Sequence, residues 1–273
     1  MKKDNEIILS IQDLTVGYGK SIILNNISMD VRKKEIIAIM GNSGSGKTTL
    51  FKSITNQIPI ISGKIKIFDQ DIRLLPDKDL KKLRRKMGVL FQHGALFTDL
   101  NVFDNVAFPL IELTKRSSDE IIKIVLEKLN SVGLRAAAHM PVTSLSGGMA
   151  KRVALARATA LDPWIMLYDE PFSGLDPISI GVIAKLIKEL SNTLQCASIL
   201  ITHEMQESFK IADKINIIGS GSIVASGSPE SLSKSEDPFI KQFINGAPTG
   251  PIPFDYPETS DFKEWLIKLR QQT

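Results

Sequence analysis

Ile36-Ile37-Ala38-Ile39-Met40-Gly41-Asn42-Ser43-Gly44-Ser45-Gly46-Lys47-Thr48-Thr49 is the stretch on which the fold turns. It opens with a continuous apolar run, the pattern of a strand buried on both faces. It passes directly into a glycine-rich turn ending in Lys-Thr, and Thr48 to Ile58 can then form a helix. Strand, glycine turn and helix in that order make a P-loop. Glycines let successive backbone amides converge on phosphate oxygens at the positive end of the helix. Gly41, Asn42, Ser43, Gly44, Ser45 and Gly46 would form that cradle, and Lys47 would reach the β- and γ-phosphates. The Thr48 hydroxyl would ligate magnesium, with Thr49 adding a further phosphate contact. A glycine turn that merely resembles the motif is the alternative, and the flanking strand and helix argue against it.

Two further motifs bear on the same phosphate chemistry. Asp169-Glu170 follows the apolar run Ile165-Met166-Leu167-Tyr168. A carboxylate at the end of a buried strand can hold magnesium beside Thr48, directly or through water. Glu170 can orient or deprotonate an attacking water; a solvated carboxylate at a strand end is the plainer alternative. Ser146-Gly147-Gly148 precedes a helix placed by its pattern from Ala150 to Ala160. Glycine amides at a helix N-terminus make a second anion site, unless the glycines only turn the chain into that helix.

The surrounding pattern is that of an α/β chain. Ile7 to Ile11 and Ile22 to Val31 read as strands about a turn at Gly17-Tyr18-Gly19, and Lys64 to Phe68 alternates as a half-buried strand should. Asp77 to Lys86 reads as a polar helix and Met87 to Phe91 as a short strand. From Thr98 to Leu161 the texture is mostly helical, with Ile121, Ile122, Val125, Leu126 and Leu129 at helical spacing. That suggests a helical lobe inserted into the core. Trp164 to Tyr168 and Cys196 to Ile201 resume the buried strands, and the runs around Gly219-Ser220-Gly221 close as a hairpin. No internal repeat is visible, so the chain carries one nucleotide cassette. Pro248, Pro251, Pro253 and Pro257 make Gly246 to Pro257 an extended path. Phe262, Trp265, Leu266 and Leu269 then give a short amphipathic helix, with Asp261 at its start and Lys268 and Arg270 near its end.

Composition narrows the classes. At 273 residues the chain fits one large domain, or a domain with an inserted lobe. It is 43% hydrophobic and 23% charged, enough for a real core. A net charge of +4, from 34 basic and 30 acidic residues spread along the chain, gives no support for a nucleic-acid partner. The single Cys196 excludes an internal disulfide framework and fits a reducing compartment; its apolar neighbours read as a buried strand. Met1 to Glu6 leads into no long apolar segment, so a signal peptide is not expected. Apolar runs fall far short of the roughly 18 residues that span a bilayer, and a membrane role therefore needs a separate partner. The basic run Lys78, Lys81, Lys82, Arg84, Arg85, Lys86 reads as a solvated helix face. Anionic headgroups or an acidic partner are the other reading.

Taken together, these motifs resemble those of ABC-transporter ATPases over nearly the whole chain. The resemblance implies an α/β fold: a P-loop ABC ATPase core with an antiparallel β subdomain and an inserted helical subdomain. Residues 1–90 and 162–240 would form the nucleotide-binding core, 91–161 the helical subdomain, and 241–273 a C-terminal extension. It implies ATP and Mg2+ as cofactors, and a second copy of the chain as partner. Ser146-Gly147-Gly148 resembles the signature that reaches the γ-phosphate in the facing subunit; the sequence departs from the family at Met149, where glutamine is common. Tyr18 resembles the aromatic residue stacked on adenine, with a surface turn as the alternative. Gln92 resembles the Q-loop glutamine, which senses magnesium and the membrane partner. Ser173-Gly174-Leu175-Asp176 resembles the D-loop, which couples the two sites; ordinary polar loops are the alternative for both. His203 resembles the switch histidine that contacts the γ-phosphate. Lys47, Gln92, Glu170 and His203 are thus the expected catalytic set, and Thr48, Gln92 and Asp169 the expected magnesium set. His93 and His139 match nothing.

A finer resemblance is to the ATPases of the Mla lipid-transport systems of Gram-negative bacteria. It rests on Phe91 to Phe97, Leu145 to Arg157 with Met149, Asp169 to Phe172, and the tail Gly250 to Pro257. It implies two ATPase copies on the cytoplasmic face of the inner membrane, below a dimeric MlaE-type permease. An MlaD-type lipid-binding protein and a small STAS-domain protein of MlaB type would complete the assembly. The tail would reach across to the other ATPase; packing on its own domain is the alternative. Another small solute, or a soluble ABC ATPase acting on ribosomes or DNA, are the rival functions.

Overall fold

A computed structural model describes residues 6–19, 21–252 and 258–272. β1 (Ile7–Tyr18) and β2 (Ser21–Arg32) form an antiparallel hairpin with Tyr18 opposite Ser21. β3 (Ile36–Gly41) is buried along its whole length, as its unbroken apolar run requires. After α1 (Lys47–Ile54), β4 (Ile60–Ile67) returns to pair with β1, and β5 (Gln70–Asp71) pairs with β4. The result is a four-stranded antiparallel sheet of order β2-β1-β4-β5.

α2 (Asp77–Arg84) leads into β6 (Met87–Leu90). Three helices follow and pack on one another: α3 (Val102–Leu113), α4 (Ser118–Ser131) and α5 (Gly147–Ala158). Asn101 caps α3, Ser117 and Glu120 form a reciprocal capping box at α4, and Ser146 caps α5. β7 (Ile165–Asp169), α6 (Pro177–Leu194), β8 (Ala197–Ile201), α7 (Met205–Ile211), β9 (Lys214–Gly219) and β10 (Ser222–Gly227) complete the core. The second sheet has the order β10-β9-β3-β8-β7-β6. Its strands run parallel except β10, which closes the edge as the expected antiparallel hairpin.

Some local readings shift. Trp164 precedes β7 and is about half exposed at 48%, its ring edge-on to Phe68 at 5.5 Å with Lys86 over both rings. The basic run around α2 is exposed but partnered: Lys82 pairs with Asp79, and Arg84 donates to the carbonyls of Thr55 and Asn56. Cys196 is buried, as its apolar neighbours require.

The chain divides into two compact units, Met1–Pro229 and Glu230–Thr273. The second begins at Glu230 and includes residues 241–273. α8 (Pro229–Ser233) lies at this junction, and α9 (Pro238–Asn245) and α10 (Ser260–Gln272) belong to the second unit. Gln242 holds the chain beyond α9, donating to the carbonyl of Ile252 at 3.0 Å and accepting its N–H at 2.6 Å. The resemblance read at Pro253 to Pro257 lies outside the described residues. Phe262, Trp265, Ile267 and Leu269 of α10 are exposed. Among the described residues no helix is long and apolar enough to cross a membrane.

Candidate active site

Four neighbouring parallel strands deliver the expected residues to one edge of the sheet. β3 runs into the P-loop, β8 into Thr202 and His203, β7 into Asp169 and Glu170, and β6 towards Gln92. The register sets Ile39 and Asp169 on either side of Ile201, so these carboxyl ends finish level. This is where open α/β sheets bind ligands. A cleft of about 390 Å³ is lined there by Tyr18, Ser43, Gly44, Gly46, Lys47, Thr48, Thr49, Gln92, Asp169, Glu170 and His203.

The P-loop is built to leave amides open. Gly46 occupies the N-cap of α1 at φ 103°, and no side chain caps the helix. A Cβ on Gly46 would lie 2.5 Å from Leu24 Cδ2, so both backbone angle and space demand glycine. The first amides of α1 are thus left facing the cleft for an anion. Buried Lys47 donates to the carbonyls of Gly41 at 2.8 Å and Asn42 at 3.0 Å. Burial pushes its pKa down, while Glu170 and Asp169 oppose that shift. Ser45 Oγ is buried without a hydrogen-bond partner, the kind of deficit that a bound phosphate relieves.

Burial raises the pKa of Asp169 and Glu170 raises it further; Lys151 and Lys47 pull it back. A carboxylate so placed gains from a cation beside it. Thr48, Asp169 and the Gln92 amide are hard oxygen donors suited to magnesium. Among the described residues no cluster of three His, Cys, Asp or Glu side chains could hold a metal by itself. The donor set therefore fits an ion that arrives with nucleotide phosphates and keeps water ligands.

Glu170 stands at φ +46°, a conformation that costs a non-glycine residue free energy. Its neighbours hold it there. Its N–H donates to the carbonyl of Ile201 at 2.8 Å, and its carboxylate accepts the His203 backbone N–H at 3.3 Å. His203 Nδ1 lies 2.8 Å from the same carboxylate oxygen, so each side chain orients the other. The pair can fix a water beside a phosphate and receive its proton.

The structure does not bring every expected residue to this cleft. Ser146 caps α5, accepting the Met149 N–H at 3.2 Å, and neither it nor Gly147 and Gly148 lines the cleft. A Cβ on Gly147 would meet nothing nearer than 3.9 Å. Among the described residues nothing therefore demands glycine at position 147. Asp176 caps α6, accepting from the N–H groups of Ile178 and Ser179 at 3.0 Å each. Ser173 is closer to the chemistry, 3.4 Å from Gln92 Nε2.

Two residues escaped the sequence reading. Lys151 of α5 donates to the Gln92 carbonyl, and Arg157 donates to the Gly94 carbonyl at 2.7 Å. The available signal was three cations, Lys151, Arg152 and Arg157, inside an otherwise apolar helical stretch that packs on a core.

Residues 24–173 match the ABC transporter family. The chain is 46% identical over 260 residues to the intermembrane phospholipid transport system ATP-binding protein MlaF of Haemophilus influenzae, spanning 95% of this chain and 98% of that one. Among solved structures, CbiO1 of Clostridium perfringens, part of the ABC transporter complex CbiONQ, is similar with a TM-score of 0.80 and 30% identity, covering 87% of this chain and 94% of that chain. The dimeric cassette MJ0796, in a post-hydrolysis state bound to ADP and Pi, is similar with a TM-score of 0.73 and 30% identity, covering 81% and 98%. On these grounds the chain belongs to the ATP-binding, ATP-hydrolysing subunits of ABC transporters, and within them to the relatives of MlaF.

Proposed function

We propose that this protein hydrolyses ATP to energise phospholipid transport between bacterial membranes, working as a dimer beneath a separate MlaE-type permease. The near full-length likeness to MlaF carries the substrate class. The dimer follows from the layout of the two helix N-termini. The P-loop cleft holds its own Lys47, Asp169, Glu170 and His203, whereas Ser146 and Gly147 stand apart from it and need a nucleotide held by another copy. ATP closes two such copies; hydrolysis and phosphate loss open them.

Within each site, the P-loop amides and Lys47 bind the phosphates, and Tyr18 stacks on the base. Thr48, Gln92 and Asp169 would hold magnesium, which would supply positive charge to the phosphate oxygens. Glu170 accepts the proton of the attacking water at its carboxylate, and His203 keeps that carboxylate aimed.

The permease has a seat in this reading. An apolar groove of about 540 Å³ beside β6 and α3 is walled by Phe91, Phe97 and Phe108 and rimmed by Lys81, Arg84 and Arg85. MlaB-type and MlaD-type partners complete the assembly, and the protein sits on the cytoplasmic face of the inner membrane through its permease. The exposed apolar residues of α10 suit a contact with another chain.

The test is to tag the protein at its N-terminus in its native cells, extract membranes gently, and identify co-purifying proteins and lipid. A multi-pass permease with an MlaD-like protein and bound phospholipid is the expected result. A different permease would discard the lipid claim, and only soluble or nucleic-acid partners would discard the transporter reading.

A further inference from the structure

Lys151 is a buried cation that does not line the ATP cleft. It lies in the second turn of α5 and is 5% exposed. Its ammonium donates to the main-chain carbonyl of Gln92, and its charge faces both Asp169 and Glu170. Further along the same helix, Arg157 donates to the Gly94 carbonyl at 2.7 Å and lies 5.6 Å from the Phe97 ring centroid. Gly94 packs so closely on α5 that a Cβ would sit 3.2 Å from Ala154 Cβ. From the other side, buried Asn105 of α3 accepts the Phe97 N–H at 2.9 Å and donates to the Phe97 and Asn101 carbonyls at 3.0 Å. The segment leaving β6 is therefore strapped to the helices α3 and α5. A charged donor serving a carbonyl in a water-poor setting makes a strong bond, and its loss leaves that carbonyl unsatisfied.

We propose that Lys151 is a positioning residue that locks Gln92, beside this chain's own nucleotide, to the helix whose N-terminus carries Ser146 and Gly147 toward the nucleotide of a facing copy. Through it, occupancy of one site sets the placement of the signature in the other. The proposal rests on the dimeric reading above.

The test uses the full-length chain carrying Glu170→Gln, in which ATP should drive stable dimers. Adding Lys151→Met removes donor and charge at nearly the same length. It should weaken ATP-dependent dimerisation about tenfold, the scale expected for one buried charge-assisted bond. Nucleotide affinity of the single chain should stay within about twofold, and amide exchange across 92–97 should quicken. With Glu170 intact, kcat should fall while KM hardly moves. Lys151→Arg keeps donor and charge and should restore dimerisation. Unchanged dimerisation in Lys151→Met, or an equal loss in Lys151→Arg, would overturn the proposal. Should Lys151→Met fail to fold, exchange in the Glu170→Gln chain with and without ATP decides: residues 92–97 and 146–150 must change together, and a change in one alone overturns the coupling. Failure of Glu170→Gln alone to dimerise with ATP would instead overturn the dimeric reading.

Discussion

Two helix N-termini in this protein are suited to phosphate, and they are built in opposite ways. α1 begins at a left-handed Gly46 with no side-chain cap, amid Lys47, Asp169, Glu170 and His203. α5 begins with its own cap from Ser146, and Gly147 faces space that a side chain could fill. The first is a site that strains its own chain: a buried lysine, a carboxylate with a raised pKa and a glutamate at φ +46°. The second shows no such strain at Gly147, although a Cβ on Gly148 would come within 2.7 Å of Ser179 Oγ. The lesson is that an anion site whose glycine is not demanded by its own fold is shaped by something outside it.

Measurements can break or sharpen that contrast. Lys47→Ala should have the largest effect, removing a phosphate contact and its positive charge; we expect phosphate release to fall by about a hundredfold to a thousandfold. Glu170→Gln should come next, lowering turnover by about a hundredfold or more while ATP-dependent dimers persist in gel filtration. Wild-type turnover in that variant would remove Glu170 from the chemistry. Gly147→Ala should leave the melting temperature of the nucleotide-free chain unchanged, because the added Cβ would meet only Leu175 Cδ2, at an ordinary 3.9 Å. Turnover should nonetheless drop by about tenfold through loss of dimer closure. A fall in melting temperature would show that Gly147 serves its own chain, and the contrast would collapse.

The smallest effect concerns acid–base balance. The raised pKa of Asp169 means the folded chain keeps this proton to higher pH than the unfolded chain does. Its contribution to stability is full below the ordinary value of 3.8 and is lost as pH rises through the folded value. Asp169→Asn, without nucleotide, should therefore gain stability over the parent at about pH 7 and not at about pH 3. Denaturant midpoints at the two pH values check the sign.

Much of the site was legible because each part sits at a strand end marked by its own pattern. The apolar run before Gly41 and the one before Asp169 are buried strands, and their next residues must emerge at a sheet edge. α6 and α7 drew no specific reading, although Asp176-Pro177 is a good helix start and caps α6 in the structure. The run Trp164 to Tyr168 predicts a buried strand that includes Trp164. In the structure its N–H and carbonyl bond to the main chains of Lys86 and Ala197, while its ring stays half exposed against Phe68 and Lys86, which are distant in sequence. Lys151 stands out only as a cation in a helical stretch; what it grips is a main-chain carbonyl, which carries no sequence signal.

The sequence by itself determined the glycine turn before α1, the carboxylate pair after β7, the glycines that open α5 and the alternation of strands and helices, since local spacing dictates backbone geometry there. Only the tertiary structure decided which strand ends finish level, that Glu170 and His203 orient each other, and that α5 grips Gln92. Those outcomes depend on strand order and helix packing, which bring together residues that no local pattern connects.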